Sequence, residues 1–285
     1  MGIQLPGGKN NGSKHPRNLK QTVKMFKQHT MERVFKAGTL TVKIFENRQL
    51  SGKAAAETVV AKIEELFKHK QHVNIIFAAA PSQAEVLEGL RASGIDWSRV
   101  NAFHMDEYIG LNTDAPQRFG TFLKNHLFGH LPFRNVFYID GNAVISESEC
   151  MRYAGLLAKY PADIVCMGIG ENGHLAFNDP PVADFNDPLQ VKVVTLDEPC
   201  RQQQVNDGCF ASFDEVPKQA ITVTIPALLS AGFICCVVPA YTKAEAVYNT
   251  INKEVSTKYP STILRTHPNA VLFLDSLSSE KLKGN

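Results

Sequence analysis

"HVNIIFAAAPSQAEVLEGLRAS", residues 72–93, carries the first decision about the fold. Its opening nine residues, 72–80, form an apolar run with Val, two Ile and Phe. Such a run marks a strand buried on both faces, the kind found in parallel sheets. Pro81 breaks it, and from Ser82 the apolar residues recur at helical spacing through Ser93. A buried strand passing through a short turn into an amphipathic helix is the repeating unit of an α/β protein.

The unit recurs on both sides. Upstream, "TLTVKIF" (39–45) reads as a strand and "SGKAAAETVVAKIEELFKHK" (51–70) as a helix opened by Ser51. Downstream, strands are expected at 100–106, 135–140, 162–170, 191–196, 219–225, 232–239 and 270–275. Helices are expected at 117–128, 146–160, 198–206 and 242–251. Strands alternating with helices over more than 200 residues predict a central, mostly parallel sheet flanked by helices on both faces, Rossmann-like in architecture.

The 285 residues, 44% hydrophobic and 20% charged, suit a soluble protein with a substantial core. The formal charge of +2 is unevenly spread. Residues 1–30 hold six Lys/Arg and no acid, leaving 24 basic against 28 acidic residues elsewhere. The polar, Gly-rich "PGGKNNGSKHPRN" reads as part of a flexible basic tail over 1–35, ahead of one domain over 36–285. The body lacks the basic surplus of a nucleic-acid binder. No run is apolar enough for a membrane span. Six cysteines without C-x-x-C spacing, two of them the neighbours Cys235 and Cys236, predict packed, reduced thiols and a cytoplasmic protein.

In parallel sheets, ligands gather beyond the carboxyl ends of the strands. Three such ends are chemically unusual here: Ala78-Ala79-Ala80-Pro81-Ser82, His104-Met105-Asp106-Glu107-Tyr108, and "GIGENGHLAFNDP" (168–180). They are expected to wall one site. His174 suits general acid–base work, and Gly170 and Gly173 would let backbone approach a ligand. Asn172 and Asp179 can hold its tautomer. Against this stands the plain reading of a loop histidine bonded to local backbone. Asp106 ends an apolar strand, where a dry carboxylate gains basicity. Its neighbour Glu107 should point the other way and bond structure, although a solvated Asp-Glu pair is the ordinary alternative. Lys243, at a helix start, can bind phosphate or simply face solvent. His and Cys spacings typical of metal sites are missing, and the chain lacks a dinucleotide or Walker loop.

Together, "FHMDEYIGL" (103–111), "GIGENGHLAFNDP", "VPKQAITVTIPALLSA" (216–231), "YTKAEAV" (241–247) and "LRTHPNAVLFLD" (264–275) resemble the glucosamine-6-phosphate deaminase/isomerase family, in order and over about residues 39–280. The resemblance implies conversion of glucosamine 6-phosphate and water to fructose 6-phosphate and ammonia, without metal or organic cofactor. By motif, Asp106 matches the base that moves a proton between C2 and C1. His174 matches the ring-opening residue, assisted by Asn172 and Asp179, and Lys243 matches a phosphate-binding lysine. A small-molecule sugar phosphate is thus the expected partner, and a homo-oligomer is compatible with the sequence.

The chain departs from the family at several positions. Asn172 stands where many members have Asp, and Asp179 where Glu is usual. Ala79-Ala80-Pro81-Ser82 replaces a loop reading roughly T-G-S-T. The phosphate-binding arginine aligns with Gln204, and Arg201, one helical turn earlier, is the expected substitute. "NDPLQ" (186–190) replaces a segment tied to allosteric control, which is therefore not expected. Two alternatives stay open: a 6-phosphogluconolactonase-like hydrolase, and a non-catalytic sugar-phosphate sensor on the same fold.

Overall fold

The structure, a computed structural model, describes residues 1–2 and 31–282. Most of the expected tail therefore lies outside the described residues. Its proposed boundary at residue 36 falls inside a strand, β1, Met31–Ala37. β1 pairs antiparallel with β2, Leu40–Phe45, and edges the main sheet. Residues from Met31 onward form one compact unit.

Apolar runs build the parallel part of this sheet. β3 (Val73–Phe77), β4 (Val100–His104), β6 (Asn135–Phe137), β7 (Ile164–Met167), β10 (Phe233–Val238) and β11 (Ala270–Asp275) join β2, and all seven run parallel. The order across the sheet is β1-β2-β11-β10-β7-β3-β4-β6. From β3 the chain winds outward through β4 to β6, and from β7 it winds the other way through β10 to β11. The reversal between β3 and β7 opens a crevice at their carboxyl ends, where doubly wound sheets bind ligands.

Alternation along the strands feeds two cores, one on each face. Ile75, Phe77, Cys166 and Cys235 pack with the Arg48–Phe67 and Ala84–Arg91 helices, while Ile76, Val165, Met167 and Cys236 pack with the Ser146–Lys159 and Ala244–Asn252 helices. The neighbours Cys235 and Cys236 thus enter opposite cores, as strand geometry requires, and all six cysteines are free. Each fully buried Phe or Ile contributes roughly 1.5–3 kcal/mol. The first helix starts three residues earlier than expected. Asn47 caps it, its side chain accepting from Leu50 N at 3.0 Å, while Ser51 is buried inside the helix.

Two expected strands leave the main sheet. β8 (Val191–Thr195) and β9 (Gln219–Val223) form a three-stranded antiparallel sheet with the short β5, Asp106–Tyr108. This small sheet ties two of the three unusual strand ends together. Val223 N donates to Met105 O at 2.8 Å, Phe177 N to Thr222 Oγ1 at 3.1 Å, and Asn178 Nδ2 to Val223 O at 2.9 Å. No helix among the described residues is long and apolar enough to cross a membrane.

Candidate active site

A cavity of about 390 Å³ opens at the crevice, large enough for a small ligand. Ala78–Gln83 after β3, Met105 and Asp106 after β4, and Gly168–Gly170 with His174 after β7 all line it. The three strand ends meet in one hollow. Phe119, Phe122 and Phe177 supply apolar wall, and Gln203, Gln204, Asp207 and Lys243 close another side.

Asp106 and Glu107 divide their work as strand alternation predicts. Glu107 is fully buried and accepts from Tyr108 N, Phe119 N and Gly120 N at 3.0, 3.0 and 2.9 Å. It locks the start of the Phe119–Leu123 helix, where free N–H groups favour an anion. Asp106 lines the cavity, and its carboxyl oxygens accept no hydrogen bond from the described residues. Burial pushes its pKa well above the ordinary aspartate value, with repulsion from Glu107 adding to the rise. His104 fixes the backbone there. Desolvation lowers its pKa to about 4, so it is neutral; Nδ1 lies 2.8 Å from Asp106 O and Nε2 accepts from Ile139 N at 2.9 Å.

His174 sits on a tight turn. Gly173, with φ of +88°, makes the turn, donating to Gly170 O at 3.0 Å while Gly170 N donates to His174 O at 3.0 Å. The imidazole lies flat against Gly170, where a Cβ would come within 2.1 Å of Cε1. Only glycine leaves room for the ring. Ala176, two residues on, holds φ of +49°, a left-handed backbone that a non-glycine residue adopts only under constraint.

A polar shell stands behind the ring. Asn172 Oδ1 accepts from His174 N at 3.0 Å and lies 2.8 Å from Nδ1, and Asp179 Oδ1 lies 3.0 Å from Nδ1. Two acceptors at Nδ1 place the proton there, and Nε2 makes no hydrogen bond with the described residues. Asn172 Nδ2 donates to Asp179 at 3.0 Å. Asp179 is buried, which pushes its pKa up, but the charge and hydrogen bond of His174, with help from Asn172, outweigh burial and hold it below the usual value. The shorter Asp side chain therefore reaches the ring.

The sequence reading missed two further members of this shell. Asp197 caps the Glu198–Asn206 helix, accepting from Cys200 N at 2.9 Å, and lies 3.4 Å from Asn172 Nδ2. An Asp one residue before Glu-Pro was a legible cap signal, but its neighbour in space was not. Cys200 Sγ, Asp179 and His174 bring ligand-type atoms within 4.8 Å of one another. Burial pushes the Cys200 thiol well above its ordinary range, so this sulfur keeps its proton and serves as packing rather than as a thiolate ligand.

Lys243 lines the same cavity. Its Nζ is buried without a hydrogen-bond partner, and desolvation lowers its pKa, opposed by the charges of Asp207 and Glu171. It ends a short turn, Tyr241–Lys243, entered through Ala240 at φ of +81°. Asp275 holds that strained peptide, accepting from Ala240 N at 3.2 and 3.1 Å. Ala79, Ala80 and Ser82 line the cavity as expected. Pro81 brings no N–H, and Gln83 reaches back to Val237 O at 3.1 Å.

Two expected substrate contacts are corrected. Arg201 does not line the cavity: its guanidinium donates to Val216 O at 3.2 and 2.9 Å and Phe213 O at 2.8 Å, and stacks over the Phe213 ring at 4.0 Å. A planar fork surrounded by carbonyls and an aromatic face is satisfied where it is. Gln204, not Arg201, faces the hollow. Gly173 also stays out of it. Its carbonyl accepts from Ser261 N at 2.9 Å, and its contribution is the turn.

Comparisons with known proteins place the chain in a family. Residues 46–273 match the family described as glucosamine-6-phosphate isomerases/6-phosphogluconolactonase. A glucosamine-6-phosphate deaminase from Bacillus cereus (strain G9842) is 36% identical over 231 residues, covering 80% of this chain and 86% of the relative. Among solved structures, a monomeric glucosamine-6-phosphate deaminase superposes with a TM-score of 0.77 at 28% identity, over 84% of this chain and 98% of that one. The 6-phosphogluconolactonase of Trypanosoma brucei shares the fold, with a TM-score of 0.69 at 17% identity over 88% of this chain and 100% of that one. The chain belongs to the glucosamine-6-phosphate isomerase/6-phosphogluconolactonase family.

Proposed function

We propose that the cavity deaminates and isomerises an amino-sugar phosphate, with glucosamine 6-phosphate as the first substrate to test. The observation that carries this reading is the meeting of an unpartnered, basic Asp106 carboxylate and the Nε2 side of His174 in one hollow. Nε2 takes the anomeric hydroxyl proton and returns a proton to the ring oxygen, opening the pyranose. Nδ1 stays anchored to Asn172 and Asp179, which spread the charge of the transient imidazolium. Asp106 then removes the C2 proton and delivers it to C1. As C1 is protonated an N–H proton passes to the C1 oxygen, so C1 becomes CH2OH and the C2–N bond an imine; water adds at C2, and ammonia leaves with the proton of the new hydroxyl as the ketone forms.

A raised pKa suits this base. A carboxylate that holds its proton more tightly is better matched to a carbon acid and still returns the proton. Lys243, Ser82 and the Ala79–Ala80 backbone seat the phosphate end. Gly170 sets the distance between the ring and the strand. The overall change is hydrolytic at nitrogen and isomerising at carbon. It requires no metal or organic cofactor, and the free thiols favour a reducing cytoplasmic setting.

A panel of amino-sugar phosphates assayed for ammonia release, with gluconolactone 6-phosphate alongside, tests the reading. Ammonia and ketose from glucosamine 6-phosphate, lost in Asp106→Asn, are the expected result. Lactone hydrolysis that survives Asp106→Asn, with no ammonia from any amino sugar, would point to the lactonase chemistry instead. Tight binding without turnover of either class would leave a sensor.

A further inference from the structure

The Lys243 end of the cavity is poor in positive charge for a phosphate seat. Beside the backbone N–H groups of Ala79 and Ala80, its donors are one buried ammonium, the Ser82 hydroxyl and the Gln204 amide. An acid shares their cavity. Asp207 lines the same cavity, exposed at its rim, and Gln203 Nε2 donates to Asp207 Oδ2 at 3.3 Å. Gln203 is itself held in place, its Oε1 accepting from Glu171 N at 2.7 Å. Asp207 also caps the carboxyl end of the Glu198–Asn206 helix, whose dipole adds partial negative charge there. Asp207 and Glu171 both act on the Lys243 ammonium. A phosphate monoester carries about −1.5 to −2 charge near neutral pH, so it meets one cation and a carboxylate together.

We infer that Asp207 sets the charge selectivity of this cavity: it holds back a dianionic phosphate terminus relative to an amino sugar ending in an uncharged hydroxyl. The inference rests on the amino-sugar reading of the cavity and names the residue that weighs one terminus against the other. An exposed carboxylate acts through solvent, so its influence is several-fold and sensitive to salt.

The test uses Asp207→Asn, a near-isosteric change at an exposed position, in the full chain. Calorimetry with inorganic phosphate at about pH 8 and about 20 mM salt should give affinity about fivefold tighter in the variant, shrinking below about twofold at about 0.5 M salt. The ratio of kcat/KM for glucosamine 6-phosphate to that for glucosamine should shift toward the phosphate by a similar factor. Phosphate affinity that is unchanged or weakened at low salt overturns the inference. So does a gain that persists undiminished at high salt, since that is the mark of a packing change. If neither protein releases ammonia from either sugar, the functional reading fails, while a salt-sensitive gain in phosphate affinity still upholds the role of Asp207.

Discussion

The two ends of the cavity are built differently. At the His174 end, each polar group is held by another: Asn172, the buried Asp179 and Asp197 form a hydrogen-bonded chain behind the imidazole, and Glu107 and His104 fix the backbone beside Asp106. At the Lys243 end, the chief donor has no partner, the loop carries a proline, and an acid stands at the rim. Proton transfer depends on placement to fractions of an ångström, and anion seating is tolerant and electrostatic. The first end is over-determined, whereas the second is free to vary in what it accepts.

The contrast can be broken most severely at Asp106. Asp106→Asn should lower ammonia release by about a thousandfold or more and at the same time raise the thermal midpoint. The sign follows from the raised pKa. Asp106 favours the fold only while protonated, below its ordinary pKa, and that contribution is lost as pH rises through the folded value. The stability gain should therefore be present near neutral pH and narrow as pH is lowered, as melting curves at a series of pH values will read.

Gly170→Ala comes next. Its Cβ would stand 2.1 Å from the imidazole, so the ring must shift, and turnover should fall about a hundredfold with phosphate affinity nearly preserved. Asp179→Asn removes the anion behind Nδ1 and should reduce kcat about tenfold, again with little change in anion binding. If either variant weakened phosphate binding as much as turnover, the separation of the two ends would be lost. The smallest effect on turnover belongs to Arg201→Met. It leaves the Val216 carbonyl unpaired and takes one of two donors from Phe213 O, so denaturant titration should show about 1–3 kcal/mol of lost stability, with KM unmoved.

The same contrast marks what the sequence made legible. Apolar runs such as 73–77 and 233–238 announced parallel strands because they are buried on both faces, and the glycine turn announced His174 because only special backbone needs such spacing. The opposed duties of Asp106 and Glu107 followed from strand alternation. What stayed hidden depends on partners far apart in the chain. β8 and β9 have ordinary strand patterns, and nothing local says that they pair with β5 rather than join the main sheet. β1 is a mixed polar edge strand that reads as tail. Arg201 sits three residues from Gln204, on a similar helix face, yet the Phe213–Val216 carbonyls capture it. Asp207 carried no motif, and only the cavity shows what it faces.

The central claim, that Asp106 moves the C2 proton of a sugar opened by His174, is tested most directly by following that proton. Glucosamine 6-phosphate incubated in D2O with the protein should lose its C2–H signal in NMR as ammonia accumulates. With Asp106→Asn the signal should persist although calorimetry still detects binding. Exchange at C2 continuing at the wild-type rate in that variant would contradict the account.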